Sequence, residues 1–204
     1  MNMIKLLFLL TIFVNLSFAK EPYTDAKTLE AIAAKYKMFA KKRFFFLQQS
    51  LDSVTTEDDL AKLNAVNEFY NEVKYSSDIK TYGQKDYWAT PYEFLGKDMG
   101  DCEDYVIAKY FALRYLGMPA EKLFFTYVKS TKFKETHMVL TYFKTPRSEP
   151  LILDNNNRRI FPASKRKDLI PIYNFNGETL KKSKQEKSHK KWDELKLNMQ
   201  RKKI

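Results

Sequence analysis

Along the first half of the chain, apolar residues recur at the spacing of helix faces. From Thr24 to about Ser50, Leu29, Ile32, Ala33, Tyr36, Phe39 and Ala40 share one predicted face, with Asp25 and Glu30 near its start. A second helix is predicted from about Thr56 to Lys74, with the stripe Leu60, Leu63, Val66, Asn67 and Tyr70. Thr56 is its expected cap, with a carboxylate three residues on. The pattern breaks between Ser76 and Gly100 at Gly83, Pro91, Gly96 and Gly100. The aromatics Tyr82, Tyr87, Trp88 and Tyr92 make this an expected ordered, packed loop rather than a linker. A third helix is predicted to begin at Cys102 and end near Leu116, stopped by Gly117 and Pro119, with Val106, Tyr110, Leu113 and Leu116 buried. Then the period changes. Leu123–Val128, His137–Phe143 and Leu151–Asp154 are short runs of β-formers between turn residues, and Asn176-Gly177 marks a further tight turn. Helices first and strands afterwards predict an α+β domain, with no internal repeat.

Several features bear on where such a domain works. Met1 to Lys5 carry one positive charge, Leu6 to Val14 are apolar except for Thr11, and Ser17-Phe18-Ala19 places small residues at a cleavage position. This is the layout of a signal peptide cut after Ala19, and the apolar run is shorter than the ~20 residues that span a bilayer. An uncleaved anchor is the alternative. The 204 residues then divide into 1–19 as signal, 20–178 as one domain and 179–204 as a basic tail. Cys102 is the only cysteine, so no intramolecular disulfide forms, and an exported lone thiol is either reactive, bridged to another chain or buried and inert. The net charge of +11 is concentrated after Lys181. Outside the cytoplasm such a tail seldom meets nucleic acid, so a solvated segment or weak membrane-surface contact is expected. Trp192, Leu195 and Met199 have the spacing of one short amphipathic helix.

Gly100-Asp101-Cys102-Glu103-Asp104 sets the cysteine at a helix start, where unpaired amides and the helix dipole favour a thiolate, the attacking form in nucleophilic catalysis. The acids have a purely structural explanation as well: Asp101 as cap, Asp104 as the return half of a capping box, Glu103 facing the dipole. As neighbours of a nucleophile they oppose its ionisation, which a bound cation relieves, and clustered hard oxygens point to Ca²⁺ rather than zinc. Two histidines are available as a base. His189 sits in the lysine-rich tail and reads as passive. His137 opens a strand, and if that strand pairs with Leu151–Asp154 about a turn centred between Pro146 and Arg147, Asp154 falls opposite Val139. It is then the diagonal neighbour of His137 on the same face. A slip of one residue puts it on the other face, and Asp154-Asn155-Asn156-Asn157 also reads as a plain polar turn.

Taken together, Trp88-Ala89-Thr90-Pro91-Tyr92-Glu93-Phe94-Leu95, Gly100-Asp101-Cys102-Glu103-Asp104-Tyr105, Ala108-Lys109-Tyr110, Leu116-Gly117, His137-Met138-Val139-Leu140 and Leu153-Asp154-Asn155 resemble, in order, the blocks of the bacterial transglutaminase-like cysteine proteinases, the periplasmic adhesin proteases. The resemblance covers roughly Tyr82 to Gly177, leaving the basic tail outside it. It implies a papain-like, transglutaminase-like fold, with N-terminal helices and a catalytic helix packed on an antiparallel sheet. It also implies Cys102 as nucleophile, His137 as base, Asp154 as orienting acid, and Ca²⁺ held near Asp101 and Glu103, with Asp104 a further ligand candidate. The expected activity is periplasmic cleavage of a large surface adhesin near its N-terminus, at a small-residue, di-alanine site, which promotes biofilm dispersal. The expected inhibitor is the periplasmic domain of an inner-membrane receptor for cyclic di-GMP. The Cys102 amide is an expected oxyanion donor, and Trp88 either lines the cleft, supplies a second donor or packs. Acyl transfer to an amine by the same triad, and a binding module of this fold without turnover, are the rival functions.

Overall fold

The computed structural model describes residues 20–178, 186–201 and 203–204, so the segment read as a signal peptide lies outside the described residues. Helix α1 runs from Ala26 to Asp52, capped by Asp25, whose carboxylate accepts from the Thr28 amide at 2.9 Å. Its ladder is interrupted at Lys37 (φ 73°, ψ 177°), and this interruption resets the phase of the apolar stripe. Ile32 stays in the core, but beyond the break Ala40, Phe44, Leu47 and Leu51 are buried and Phe39, expected inside, faces solvent. Helix α2 spans Asp59–Asn71 and is capped by Asp58 rather than Thr56, since the Asp58 side chain reaches the Ala61 amide at 2.8 Å. With that later start, Leu60 sits in the first turn and is exposed, while Leu63, Val66, Asn67 and Tyr70 are buried as expected.

The segment read as a packed loop is ordered and partly regular. It contains β1 (Lys74–Tyr75), α3 (Asp78–Tyr82), α4 (Pro91–Lys97) and β2 (Met99–Gly100), with β1 and β2 paired in parallel. Helix α4 begins at a complete capping box, Thr90 with Glu93, and Pro91 takes the first helical position, where a missing amide costs nothing. Helix α5 follows from Cys102 to Tyr115, and Gly117, at φ 83°, turns the chain out of it.

Strands β3 (Leu123–Ser130), β4 (Thr136–Tyr142), β5 (Leu151–Asp154), β6 (Asn157–Pro162) and β7 (Leu169–Phe175) form one antiparallel sheet in the order β6-β5-β4-β3-β7. The sequence pattern did not reveal β6 and β7. Their burial is partial, without clean alternation, as edge strands allow. Helix α6 (Glu186–Gln200) closes the domain. It belongs to the stretch expected to be a solvated tail, yet Trp192 and Leu195 are buried. The Trp192 ring stacks on Phe111 and meets Phe125 edge-on, so the amphipathic face expected there is spent on the core. Gly177 leaves room for it; a Cβ there would lie 2.5 Å from the indole. The side chain of His189 lies outside the described residues.

Candidate functional site

Cys102 is the first residue of α5 and is half-buried. Asp101 occupies the cap position with extended backbone, but its side chain makes no capping bond. Asp104 does accept the Asp101 amide, the return half of a capping box. The Asp101 carboxylate is therefore available for another task. The Cys102 thiol donates to Glu103 Oε2 at 3.2 Å, and the Met138 backbone amide donates to the sulfur. Burial first, then the Glu103 and Asp101 charges, push the thiol well above its ordinary range, against the Met138 amide. Since Met138 follows His137 on β4, that contact sets the start of α5 beside the strand that carries the histidine.

His137 and Asp154 meet as their strands predict. Leu140 pairs with Leu153 and Thr141 with Ile152, so Asp154 comes opposite Val139 and diagonal to His137. His137 Nε2 lies 2.8 Å from Asp154 Oδ1, with both side chains buried. Arg166 donates to Asp154 Oδ2 at 2.7 Å and is itself held by Asp168, while the Asn156 amide donates to Oδ1 at 2.9 Å. Burial alone would raise the Asp154 carboxyl. The bond and charge of His137, the Asn156 amide and Arg166 outweigh it and hold the group well below the usual carboxylate range. With Nε2 engaged, Nδ1 is the imidazole nitrogen left for proton transfer.

Two supporting residues escaped the sequence pattern. Arg166 is one basic residue among Arg158, Arg159, Lys165 and Lys167, and nothing local distinguishes it. Lys109 is 1% exposed and lies on the same α5 face as Cys102, two turns on. Its ammonium donates to Asn67 Oδ1 at 2.8 Å and Asn71 Oδ1 at 2.6 Å. Asn71 in turn donates to the Asp154 carbonyl at 2.9 Å, and Asn67 to that of Arg158 at 3.0 Å. A buried cation thus braces the turn that presents Asp154. Burial lowers Lys109 to about 7, opposed by the charge of Asp154. Trp88 is buried and stacked on Phe175 with ring planes 7° apart, and its indole Nε1 is without a hydrogen-bond partner among the described residues.

Oxygens of Asp78, Asp101 and Asp104 lie within 4.8 Å of one another. Each contributes one buried oxygen without a hydrogen-bond partner: Asp78 Oδ1, Asp101 Oδ1 and Asp104 Oδ2. The remaining oxygens of Asp78 and Asp104 are oriented by the Tyr87 and Ala89 amides. Gly100 completes the cradle, because a Cβ there would sit 2.4 Å from Asp104 Oδ2. Orphaned, convergent carboxylate oxygens fit a hard divalent cation. Two of the three metal candidates named from sequence, Asp101 and Asp104, are in this group. The third, Glu103, lies between the thiol and Asp101, bonded to both side chains. Asp78 arrives from α3, inside the stretch read as a loop, where an isolated acid carries no signal.

Without a cation these carboxyls are raised, each by burial first and also by its acidic neighbours, against the Tyr87 amide at Asp78 and the Ala89 amide at Asp104; Asp78 is raised to about 6. A raised folded-state value means the folded chain binds more protons than the unfolded one from about 4 up to about 6 for Asp78 and up to about 10 for Asp101, so stability falls as pH rises across that range. In chelator, the melting temperature is expected to rise as pH drops from about 7 to about 4.5, and a divalent cation at pH 7 should abolish that gain. Asp154 acts with opposite sign only below its ordinary value of 3.8, where its stabilisation is lost on further acidification. A chelated melting temperature that falls steadily from pH 7 to pH 4.5 would count against a built cation site.

The family model for the bacterial transglutaminase-like cysteine proteinases matches residues 42–198. Among solved structures, Legionella pneumophila LapG is 39% identical with a TM-score of 0.74, covering 90% of this chain and 100% of its own. The same protein in calcium-bound form is 38% identical with a TM-score of 0.72, over 85% of this chain and 98% of its own. Its EGTA-treated form is 36% identical with a TM-score of 0.73, over 90% of this chain and 100% of its own. No curated protein sequence matches significantly.

Proposed function

Since this chain belongs to the bacterial transglutaminase-like cysteine proteinases, we propose that it is a calcium-dependent endopeptidase with Cys102 as nucleophile, His137 as base and Asp154 as orienting acid. The observation that carries this reading is the His137–Asp154 pair, bonded at 2.8 Å on the strand whose next amide touches the Cys102 sulfur. In the proposed sequence, His137 Nδ1 takes the thiol proton and the sulfur attacks a peptide carbonyl carbon. Asp154 keeps Nε2–H engaged and stabilises the imidazolium. The Cys102 amide, in the first helical turn, has no acceptor within the helix and is the proposed oxyanion donor. The tetrahedral intermediate then collapses, breaking the C–N bond as His137 gives its proton to the leaving amine. Water, deprotonated by His137, cleaves the resulting thioester and restores the thiol.

The cation fits Asp78, Asp101 and Asp104, and calcium is supported by the calcium-bound form of the Legionella relative. Bound there, it supplies positive charge that offsets the acids crowding the thiol.

The same proposal places the protein in the periplasm after removal of residues 1–19. The proposed substrate is a large surface adhesin cut near its N-terminus at a di-alanine site, and the proposed inhibitor is the periplasmic domain of a cyclic di-GMP receptor; both are what the resemblance of the sequence blocks implies. The test is cleavage of such an adhesin's N-terminal region by the chain from Lys20. Chelation is expected to suppress cutting and calcium to restore it. Full activity in excess chelator would remove calcium from the proposal, and no cutting by reduced, calcium-loaded protein would remove this substrate.

A further inference from the structure

Beyond the interruption at Lys37, α1 carries two apolar faces. One, of Ala40, Phe44, Leu47 and Leu51, is in the core. The other faces solvent: Met38 is 57% exposed, Phe39 76%, Phe45 58% and Phe46 56%. At 3.6 residues per turn these four side chains fall within a sector about 120° wide, opposite the buried stripe. Soluble domains seldom leave so many large apolar groups together in water without using them.

The charges around that face are one-signed. Between Ala31 and Leu51 there is no Asp or Glu, whereas Lys35, Lys37, Lys41, Lys42 and Arg43 all occur there. Lys42 lies within the apolar sector, its ammonium 5.8 Å from the Phe39 ring centre. Lys41 flanks it, paired with exposed Glu30, and Lys35 reaches the carbonyl of Ile204. At Phe46 the face meets a hollow bordered by Phe69, Val73 and Leu95. The acids on its rim are compensated, Glu72 by Arg158 at 2.7 Å and Asp98 by Arg43 at 3.5 Å. Bulky apolar groups in the middle of a helix face, with lysines able to extend beside them, are the pattern of helices that lie in a membrane interface. The basic α6 offers no such arrangement, because Trp192 and Leu195 are committed to the core.

We propose that this α1 face docks on an anionic membrane surface, with Met38, Phe39, Phe45 and Phe46 at the boundary of headgroups and acyl chains and Lys42, with Lys41 at its flank, against lipid phosphates. None of these residues belongs to the Cys102, His137 and Asp154 site or to the carboxylate cluster. The inference therefore stands apart from the peptidase reading.

The test is sedimentation of the chain from Lys20 with vesicles of phosphatidylcholine alone, and of phosphatidylcholine mixed with phosphatidylglycerol, at low and high salt. Co-sedimentation is expected only with the anionic vesicles, weakening as salt rises. Phe39→Ser with Phe45→Ser should abolish it, and Lys42→Glu should weaken it by about fivefold or more, with melting temperatures unchanged. A wild type that stays in the supernatant, binds both vesicles equally, or sediments no better than the serine variant overturns the proposal. If the wild type ignores vesicles but the serine variant loses capture of a receptor's periplasmic domain, the face is a protein interface and the lipid assignment falls.

Discussion

Replacing Cys102 by alanine is expected to lower turnover by about five to six orders of magnitude, to the level left by binding and the oxyanion donor alone. The size of the effect follows from the residue's singularity. It is the only sulfur nucleophile in the chain, and the half-buried position at the start of α5 loses little packing when one sulfur is removed. Melting temperature should stay close to that of the wild type, so lost activity reports chemistry rather than unfolding. The thiol donates to Glu103 and is held protonated by burial and by the Glu103 and Asp101 charges. Alkylation of wild-type Cys102 should therefore be slow in chelator and faster with calcium. The measurement is single-turnover cleavage beside iodoacetamide kinetics; an alanine variant that still cuts at more than a trace would displace Cys102 from its proposed role.

Removing the Asp154 side chain should have the next largest effect, on both activity and stability. Asp154→Ala frees the imidazole from its 2.8 Å partner and leaves Arg166, 7% exposed, with Asp168 alone opposite it among the described residues. A loss in kcat of about three to four orders of magnitude is expected from the unoriented base, with KM little changed. Breaking a buried ion pair by deleting one partner also costs about 3–5 kcal/mol, because the other charge stays desolvated. Denaturant titration and steady-state kinetics on the same sample separate the two. A variant that is destabilised yet turns over normally would make Asp154 a structural anchor for Arg166 and nothing more.

The same two residues show where sequence reasoning reached the site and where it stopped. The start of α5 is marked by Gly100-Asp101 and the helical stripe behind Cys102, so the cysteine's position in a first turn was readable locally. The His137–Asp154 contact was readable because strand pairing has a period of two and the turn about residues 146 and 147 leaves one register that buries both apolar faces. Arg166, Lys109 and Asp78 were not readable. Each reaches the site from a different element, and a charged residue in sequence carries no mark of the partner that will neutralise it. Lys109 falls in a helical stripe position, where a buried ammonium is excluded unless Asn67 and Asn71 are there to receive it. Glu103 is the converse. Its neighbours in sequence group it with Asp101 and Asp104, but its carboxylate sits outside their oxygen cluster, turned to the thiol and to the Asp101 side chain.

By itself, the sequence determined what depends on neighbours within a few residues: helix starts and stops, strand alternation, and the order of cysteine, histidine and aspartate. The tertiary structure decided what depends on packing between distant elements. The break at Lys37 turns Phe39 outward and Phe44 inward, Trp192 folds into the core from a segment whose composition is that of a solvated tail, and Asp78 joins Asp101 and Asp104 from another helix. In each case the deciding free energy is burial or charge compensation between groups far apart in the chain, to which local pattern is blind.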